Sequence, residues 1–277
     1  MSCLMSRAGG TTAAWWRGLV PAVTFAVLVA GREAQAADPF EIQVYDGTAN
    51  APGSFGLELH LNHVAEGLQT APPPALPTDG VTHFTLEPSF GVRAWWELGA
   101  YLQAALRPDG RFDYAGAKLR SKFVTTGAFS PTLRFGVNLE ISRIPAAYEP
   151  DRWGGEIRPI AAWETERWLL AANPILGTPL AGRGVSLQPT FEPAVMALRK
   201  VGSLFDFGLE YYGSLGRFAG FDAPAKQEHY LYEVINLLSA AQLELNAGVG
   251  EGLTPASNRL VLKLIAGWTF PRAGHTP

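Results

Sequence analysis

The residues of this chain best suited to chemistry are acids and bases set two apart, on segments whose intervening residues are largely apolar. Glu58, His60 and Asn62 form one such row. Lys118, Arg120 and Lys122 form another, followed by Arg134, Asn138 and Glu140, by Glu156 and Arg158, and by Glu244 and Asn246. His83, Glu87, Glu97, Gln103, Glu192, Glu210 and Lys263 hold the polar positions of further alternating segments. Eight glutamates and six lysines or arginines on one face exceed what solubility asks of them, and such a set has two uses. Paired with one another they can fill a narrow interior, because a buried charge is tolerated only with a partner. Facing water, they line a path that selects solutes by charge and size. The excess of acid then favours cations or neutral solutes over anions.

Other chemistry finds weaker support. Glu58, His60 and His83 offer metal ligands, but on two strands, without cysteine and without a ligand spacing typical of metal sites. His229, beside Glu228 and in the same region as Ser214, has the residue types of a hydrolase. The G-x-S-x-G turn that presents a nucleophilic serine is absent. The glycines of 248–252 follow a strand but precede a loop and another strand, whereas a phosphate loop needs a helix next. The reading is a protein that is not an enzyme, with no catalytic residue, no metal and no cofactor. Its candidate lining residues are Glu58, His60, Glu87, Glu97, Lys118, Arg120, Arg134, Glu140, Glu156, Arg158, Glu192, Glu210, Glu244 and Lys263.

The elements that position these side chains are β-strands. In 132–142, Leu133, Phe135, Val137, Leu139 and Ile141 alternate with Arg134, Gly136, Asn138 and Glu140, and successive strand side chains point to opposite faces. The pattern recurs at 55–62, 82–90, 204–212 and 242–250. Weaker versions lie at 95–105, 112–124, 154–165, 167–175, 187–199, 227–237 and 258–270. That makes twelve strands, most longer than the ~5–6 residues usual in soluble sheets and matching the ~9–11 of a tilted membrane strand. Tight links at 92–94 and 164–167 alternate with longer ones at 64–79, 144–153, 176–186, 214–226 and 251–257; the short link 107–111 is the exception. Short periplasmic turns and long outer loops are the rule of outer-membrane barrels, and both termini then fall in the periplasm. Pro72, Pro73, Pro74 and Pro77 keep the first long link out of any strand or helix. Trp95, Trp96, Trp153, Trp163, Trp168, Tyr211, Tyr230, Tyr232, Trp268 and Phe270 cluster near strand ends, as interfacial girdles do. Trp268 and Phe270 also form an insertion-signal-like end to the last strand.

Residues 1–36 read as a signal peptide, with Arg7 and Arg17 ahead of an apolar stretch and Ala34-Gln35-Ala36 as the cleavage site. The single cysteine, Cys3, lies within it, so the mature chain has neither disulfide nor thiol chemistry. Cleavage removes three arginines and one glutamate from 22 basic and 25 acidic residues, leaving 19 against 24, a balance of −5; nucleic-acid binding asks for the opposite sign. The fold class is all-β: a transmembrane antiparallel up-and-down barrel of twelve strands. The expected division is signal peptide 1–36, a periplasmic segment 37–53, the barrel 54–270 and a tail 271–277.

Several stretches resemble one another's counterparts in a known family. They are Glu41-Ile42-Gln43-Val44-Tyr45-Asp46, the run from Pro52 to Asn62, Gly116-Ala117-Lys118-Leu119-Arg120, Asp151-Arg152-Trp153, Gln227-Glu228-His229, and the run from Gly248 to Thr254. Together they resemble a largely uncharacterised family of proteobacterial outer-membrane barrels described as porin-like or transporter-like and, more distantly, the barrels linked to phenol-degradation pathways. The resemblance implies an outer-membrane location and a solute-passing role, with no substrate and no catalytic residue to carry over. The partners expected are outer-membrane lipid, the barrel-insertion machinery and small solutes. The alternative is a non-conducting barrel with a filled lumen and a structural, binding or lipid-hydrolase role. Twelve strands decide nothing between the two, since eight-stranded barrels are filled and sixteen-stranded ones open. Within the lumen, Glu97 and Arg134 are expected near Lys118, Arg120 and Lys122; Glu140, Glu156 and Arg158 together; and Lys263 beside Glu58 and His60.

Overall fold

The computed structural model describes residues 38–149, 153–181, 188–238 and 243–271. The expected signal peptide, Asp151 and Arg152, and the C-terminal tail beyond Pro271 lie outside the described residues. Among the described residues the strands are β1 (Phe55–Glu66), β2 (Thr82–Arg93), β3 (Trp96–Leu106), β4 (Phe112–Val124), β5 (Leu133–Arg143), β6 (Trp153–Glu164), β7 (Trp168–Ala181), β8 (Thr190–Val201), β9 (Phe205–Ser214), a small hairpin β10 (Gly216–Arg217) and β11 (Gly220–Phe221), then β12 (Glu228–Leu238), β13 (Leu243–Gly252) and β14 (Leu260–Phe270). No helix among them is long and apolar enough to cross a membrane.

Setting the hairpin aside, twelve strands pair antiparallel in chain order, and β14 closes on β1 from Phe55↔Phe270 to Glu66↔Leu260. Closure leaves the wall without an edge, which a sheet in hydrocarbon requires. The links 94–95, 165–167 and 202–204 are short and share one end, here the turn end. The longer links 67–81, 144–152, 182–189, 215–227 and 253–259 share the other, the loop end. Two links break the rule: 107–111 is short at the loop end, and 125–132 is long at the turn end. The alternation in the sequence places the strands well, although several run further toward the loop end, with β7 reaching Ala181 and β1 reaching Glu66. One bulge, opposite Gln103 and Ala104, falls at Gly116 of β4. Its φ of +129° suits glycine, and a Cβ there would meet the Arg143 carbonyl oxygen at 2.9 Å.

The outer surface is a band of exposed leucine, isoleucine and phenylalanine, including Leu98, Leu119, Phe135, Ile157, Leu209 and Leu262. Such a surface is stable in hydrocarbon and not in water. Trp153, Trp163, Trp168, Trp268 and Phe270 point outward from strand ends. Trp95, Trp96 and Phe123 stack at the β2–β3 turn. Tyr230 and Tyr232, expected in the girdles, are instead buried inside the barrel. They share a side of β12 with Val234, while Leu231, Ile235 and Leu237 face out.

The interior is two-sided. On β7 to β9, β12 and β14 it is mainly apolar, presenting Leu169, Ala171, Ile175, Met196, Leu198, Tyr212, Tyr232 and Val261, with Asn173, Glu210 and Lys263 set among them. On β1 to β6 it is polar and charged. Both sides are satisfied by one element. Residues 38–53, expected to wait in the periplasm, run down the lumen from the loop end to the turn end. Asn62 and Thr85 donate to the carbonyls of Pro39 and Phe40, and Gly53 donates to the carbonyl of Gly91 near the turn end. The physical reason is alternation: Phe40, Ile42 and Val44 are buried with apolar neighbours, and Glu41 and Tyr45 between them meet the charges.

Candidate functional site

The lumen and the segment threaded through it form the site. Arg120 and Lys122 of β4 meet Glu87 of β2 and Glu97 of β3. Arg120 donates to Glu87 at 2.7 Å and to Glu97 at 2.8 Å, and Lys122 lies 2.8 Å from Glu97. The amide of Asn50, on the inner segment, donates to the second oxygen of Glu97 at 2.6 Å. Nearer the loop end, Lys118 reaches Asp38 at 2.5 Å, Glu140 at 3.4 Å and Glu41 at 3.5 Å. Arg158 lies against Glu156 at 2.7 Å and Glu41 at 3.1 Å. Asn138 donates to Glu140 at 2.7 Å.

Two sequence expectations are corrected by register. Arg134 does not join Glu97; it pairs with Asp46 of the inner segment and with Glu164 of β6. Lys263 lies opposite Asn62, not Glu58 or His60, and reaches across the lumen to Glu210 and the Ile42 carbonyl. In both cases the partner is on an element whose position in the barrel the sequence does not fix. Asp38, Glu41, Tyr45, Asp46 and Asn173 were missed for the same reason. Asn173 clamps the inner segment, accepting from the Tyr45 amide at 2.7 Å and donating to the Tyr45 carbonyl at 3.0 Å. The Tyr45 hydroxyl lies 2.6 Å from that of Tyr101 and donates to Glu41 at 2.9 Å. The alternating Phe40, Ile42 and Val44 were the signal that might have been read as an inner strand-like piece.

Not every charge is consumed in pairs. Among the described residues Glu244 has no hydrogen bond or ion pair, and Glu192 is bonded by the hydroxyl of Thr190 at 2.7 Å. Glu244, Glu58 and Asp46, with Lys122, Asn246 and Met196, are on the wall of a cavity of about 210 Å³ toward the turn end. At ~30 Å³ per water, that is room for several waters or one small solute.

Glu58, His60 and Glu87 bring three ligand atoms within 4.8 Å of one another. Glu58 and Glu87 are direct cross-strand partners, whereas His83, weighed as a third ligand in the sequence and set aside, packs edge-on against Phe40 at 4.7 Å. Arg120 bonds the Glu87 carboxylate, and His60 lies 3.2 Å from Glu87 and 3.6 Å from Glu58. With a guanidinium already neutralising it, this cluster is arranged as an internal ion-pair network. His229 and Ser214 are on opposite faces of the wall. Ser214 is buried inside, while the His229 ring is held outside by Tyr211 at 2.6 Å and Gln227 at 3.1 Å.

The loop end is covered. The link 67–81 is tied to residues 145–148 through Leu76 and Ala147, and to the β13–β14 link through Thr78 and Asn258. Asp79 accepts from the Gly67 amide at 2.8 Å; that bond and one from Gln69 hold its carboxyl below the usual aspartate value. Tyr148 packs on Phe40 at 5.6 Å and donates to Asp113 at 3.0 Å. Burial first, and then that bond, push its hydroxyl up to about 12.

No protein-family model matches the chain, and no curated protein matches it in sequence. Solved structures do match. An outer-membrane channel from Pseudomonas putida F1 shares 11% identity at a TM-score of 0.56, over 83% of this chain and 100% of that one. The KdgM porin, solved with disordered oligogalacturonate, shares 8% identity at a TM-score of 0.49, over 79% of this chain and 99% of that one. At these identities the likeness is one of fold alone: this chain has the antiparallel barrel architecture of the Pseudomonas putida F1 structure.

Proposed function

We propose that the chain is an outer-membrane barrel that passes small solutes, cations and neutral molecules before anions, through a lumen narrowed by residues 38–53. The observation that carries this is the two-sided interior. The inner segment is held by side-chain contacts on several strands, and beside it a cavity is left at the turn end, with Glu244 unpaired among the described residues. The exposed apolar band supports residence in a bilayer. Export by a signal peptide cut after Ala36, and insertion by the barrel-assembly machinery, belong to the same reading. So does the absence of catalysis, which the separation of Ser214 from His229 supports. Single-channel recording in planar bilayers tests the proposal. The intact protein is expected to show small, cation-preferring currents, and a variant lacking 38–50 larger ones; silence from both would refute it. A second reading, a barrel that conducts nothing, is favoured by the covered loop end and the filled lumen, and that silence is the result it requires.

A further inference from the structure

The turn-end cavity is lined by charge on one part of its wall and by apolar side chains on another. Five carboxylates line it, those of Asp46, Glu58, Glu87, Glu210 and Glu244, against three cationic side chains, Arg120, Lys122 and Lys263. The three cations are already engaged: Arg120 by Glu87 and Glu97, Lys122 by Glu97, and Lys263 by Glu210. Asp46 is held by Arg134. Glu58 and Glu244 remain without a lysine or arginine among the described residues. Glu58 meets the side-chain amide of Gln43 at 3.2 Å and the His60 ring at 3.6 Å.

These two carboxylates flank one residue. Glu58 of β1 and Glu244 of β13 are both registered opposite Gly267 of β14, one on each side. With neighbouring strands ~4.8 Å apart, their Cα atoms are separated by about 10 Å, a gap that one nitrogen bridges to both carboxylates. Gly267 keeps the gap clear, since a Cβ there would stand 3.3 Å from the Glu58 Cγ. Two residues along β13, Asn246 also lines the cavity. Its amide donates to Asn236, and its buried Oδ1 has no donor among the described residues. The apolar part of the wall is built from Leu169 of β7, Met196 of β8 and Ile265 of β14, all buried.

A charge taken out of water needs partners, and the free groups here are all acceptors, two anionic and one neutral. A primary ammonium matches them, because it carries one charge on three N–H donors. A calcium ion does not, because it gathers about six to eight oxygens at ~2.3–2.6 Å. The apolar side chains suit a short hydrocarbon body. A cavity of about 210 Å³ holds roughly seven waters at ~30 Å³ each, which limits that body to a few carbons.

We infer that the turn-end cavity is a binding site for small primary alkylammonium ions, held by Glu58 and Glu244 across Gly267 with the alkyl part against Leu169, Met196 and Ile265. The inference rests on the solute-passing reading above and gives its cation preference a chemical class. The closed wall separates the cavity from lipid head groups, so the amine is a free solute.

Titration calorimetry on the protein purified in detergent tests the site with three probes of matched size. Butylammonium carries charge and donors, tetramethylammonium carries charge without N–H donors, and butan-1-ol lacks the charge. Butylammonium is expected to bind saturably and about tenfold or more tighter than either other probe, as hydrogen bonds to charged groups require. Glu58→Gln and Glu244→Gln are each expected to weaken it by about tenfold, and Gly267→Val, which fills the gap, to abolish binding. Tetramethylammonium or butan-1-ol binding as tightly as butylammonium overturns the site, as does a butylammonium affinity unaltered in both glutamine variants. Currents are recorded in planar bilayers in parallel, where butylammonium is expected to reduce the wild-type current more than that of Glu244→Gln. Channel silence with butylammonium binding intact refutes the solute path and supports the site. Currents without saturable butylammonium binding overturn the site alone.

Discussion

Arg120 binds the polar wall together. Its guanidinium is shared between Glu87 and Glu97, and it lies 5.8 Å from the Tyr45 ring and 6.0 Å from that of Tyr101. Arg120→Ala leaves buried Glu87 with only His60 and buried Glu97 with Lys122 and the Asn50 amide, a change expected to cost about 3 kcal/mol, read as a lowered urea midpoint for unfolding in detergent. Glu244 is the opposite case. With no partner among the described residues and a place on the cavity wall, Glu244→Gln is expected to leave that midpoint unchanged and to shift the reversal potential toward anions. An unchanged reversal potential would remove Glu244 from the selectivity path.

Among the elements, β4 and the first loop make separate demands. Gly116 lets β4 bulge past β3 at a backbone conformation that other residues adopt with strain, so Gly116→Ala is expected to cost about 1–3 kcal/mol, again measured by unfolding in urea. The first loop, 67–81, is held by carboxylate bonding at Asp79. Because the folded carboxyl sits below its ordinary 3.8, the loop is fully held above that pH and released as pH falls through the lower folded value. Limited proteolysis of 67–81 should therefore accelerate below about pH 4, and Asp79→Asn should reproduce much of that acceleration at neutral pH. Proteolysis of the wild type that is flat across this range would exclude Asp79 as the tether.

At the scale of the whole molecule, the barrel and its inner segment are stabilised against each other. Cationic side chains hold the charged interior, and Lys118, Arg134, Arg158 and Lys263 each contact the inner segment directly. Deleting 38–50 is thus expected to do two things at once: enlarge the conductance, and lower stability by leaving buried charges unmatched. The second effect is read as a shift of the folded band in unheated gel electrophoresis toward lower unfolding temperature. A deletion variant that conducts no more than the intact chain would show that the segment does not narrow the path.

The strand number, most turn-end boundaries and the outward face were legible in the sequence, because alternation is a local consequence of strand geometry; the loop-end reach of β1 and β7 was not. Leu133, Phe135 and Val137 must point one way whatever surrounds them. The acid–base composition of one lumen wall was legible for the same reason. Partners were not. Whether Lys263 meets Glu58 or Glu210, and whether Arg134 meets Glu97 or Asp46, depends on register and on what crosses the lumen. Tyr230 and Tyr232 were misplaced because an apolar residue on an alternating strand suits lipid and an apolar lumen wall equally. Only closure of the barrel set Asn173 against Tyr45. The sequence by itself determined a twelve-strand wall with a greasy outside; the tertiary structure decided what fills it, since filling depends on contacts between residues more than a hundred positions apart.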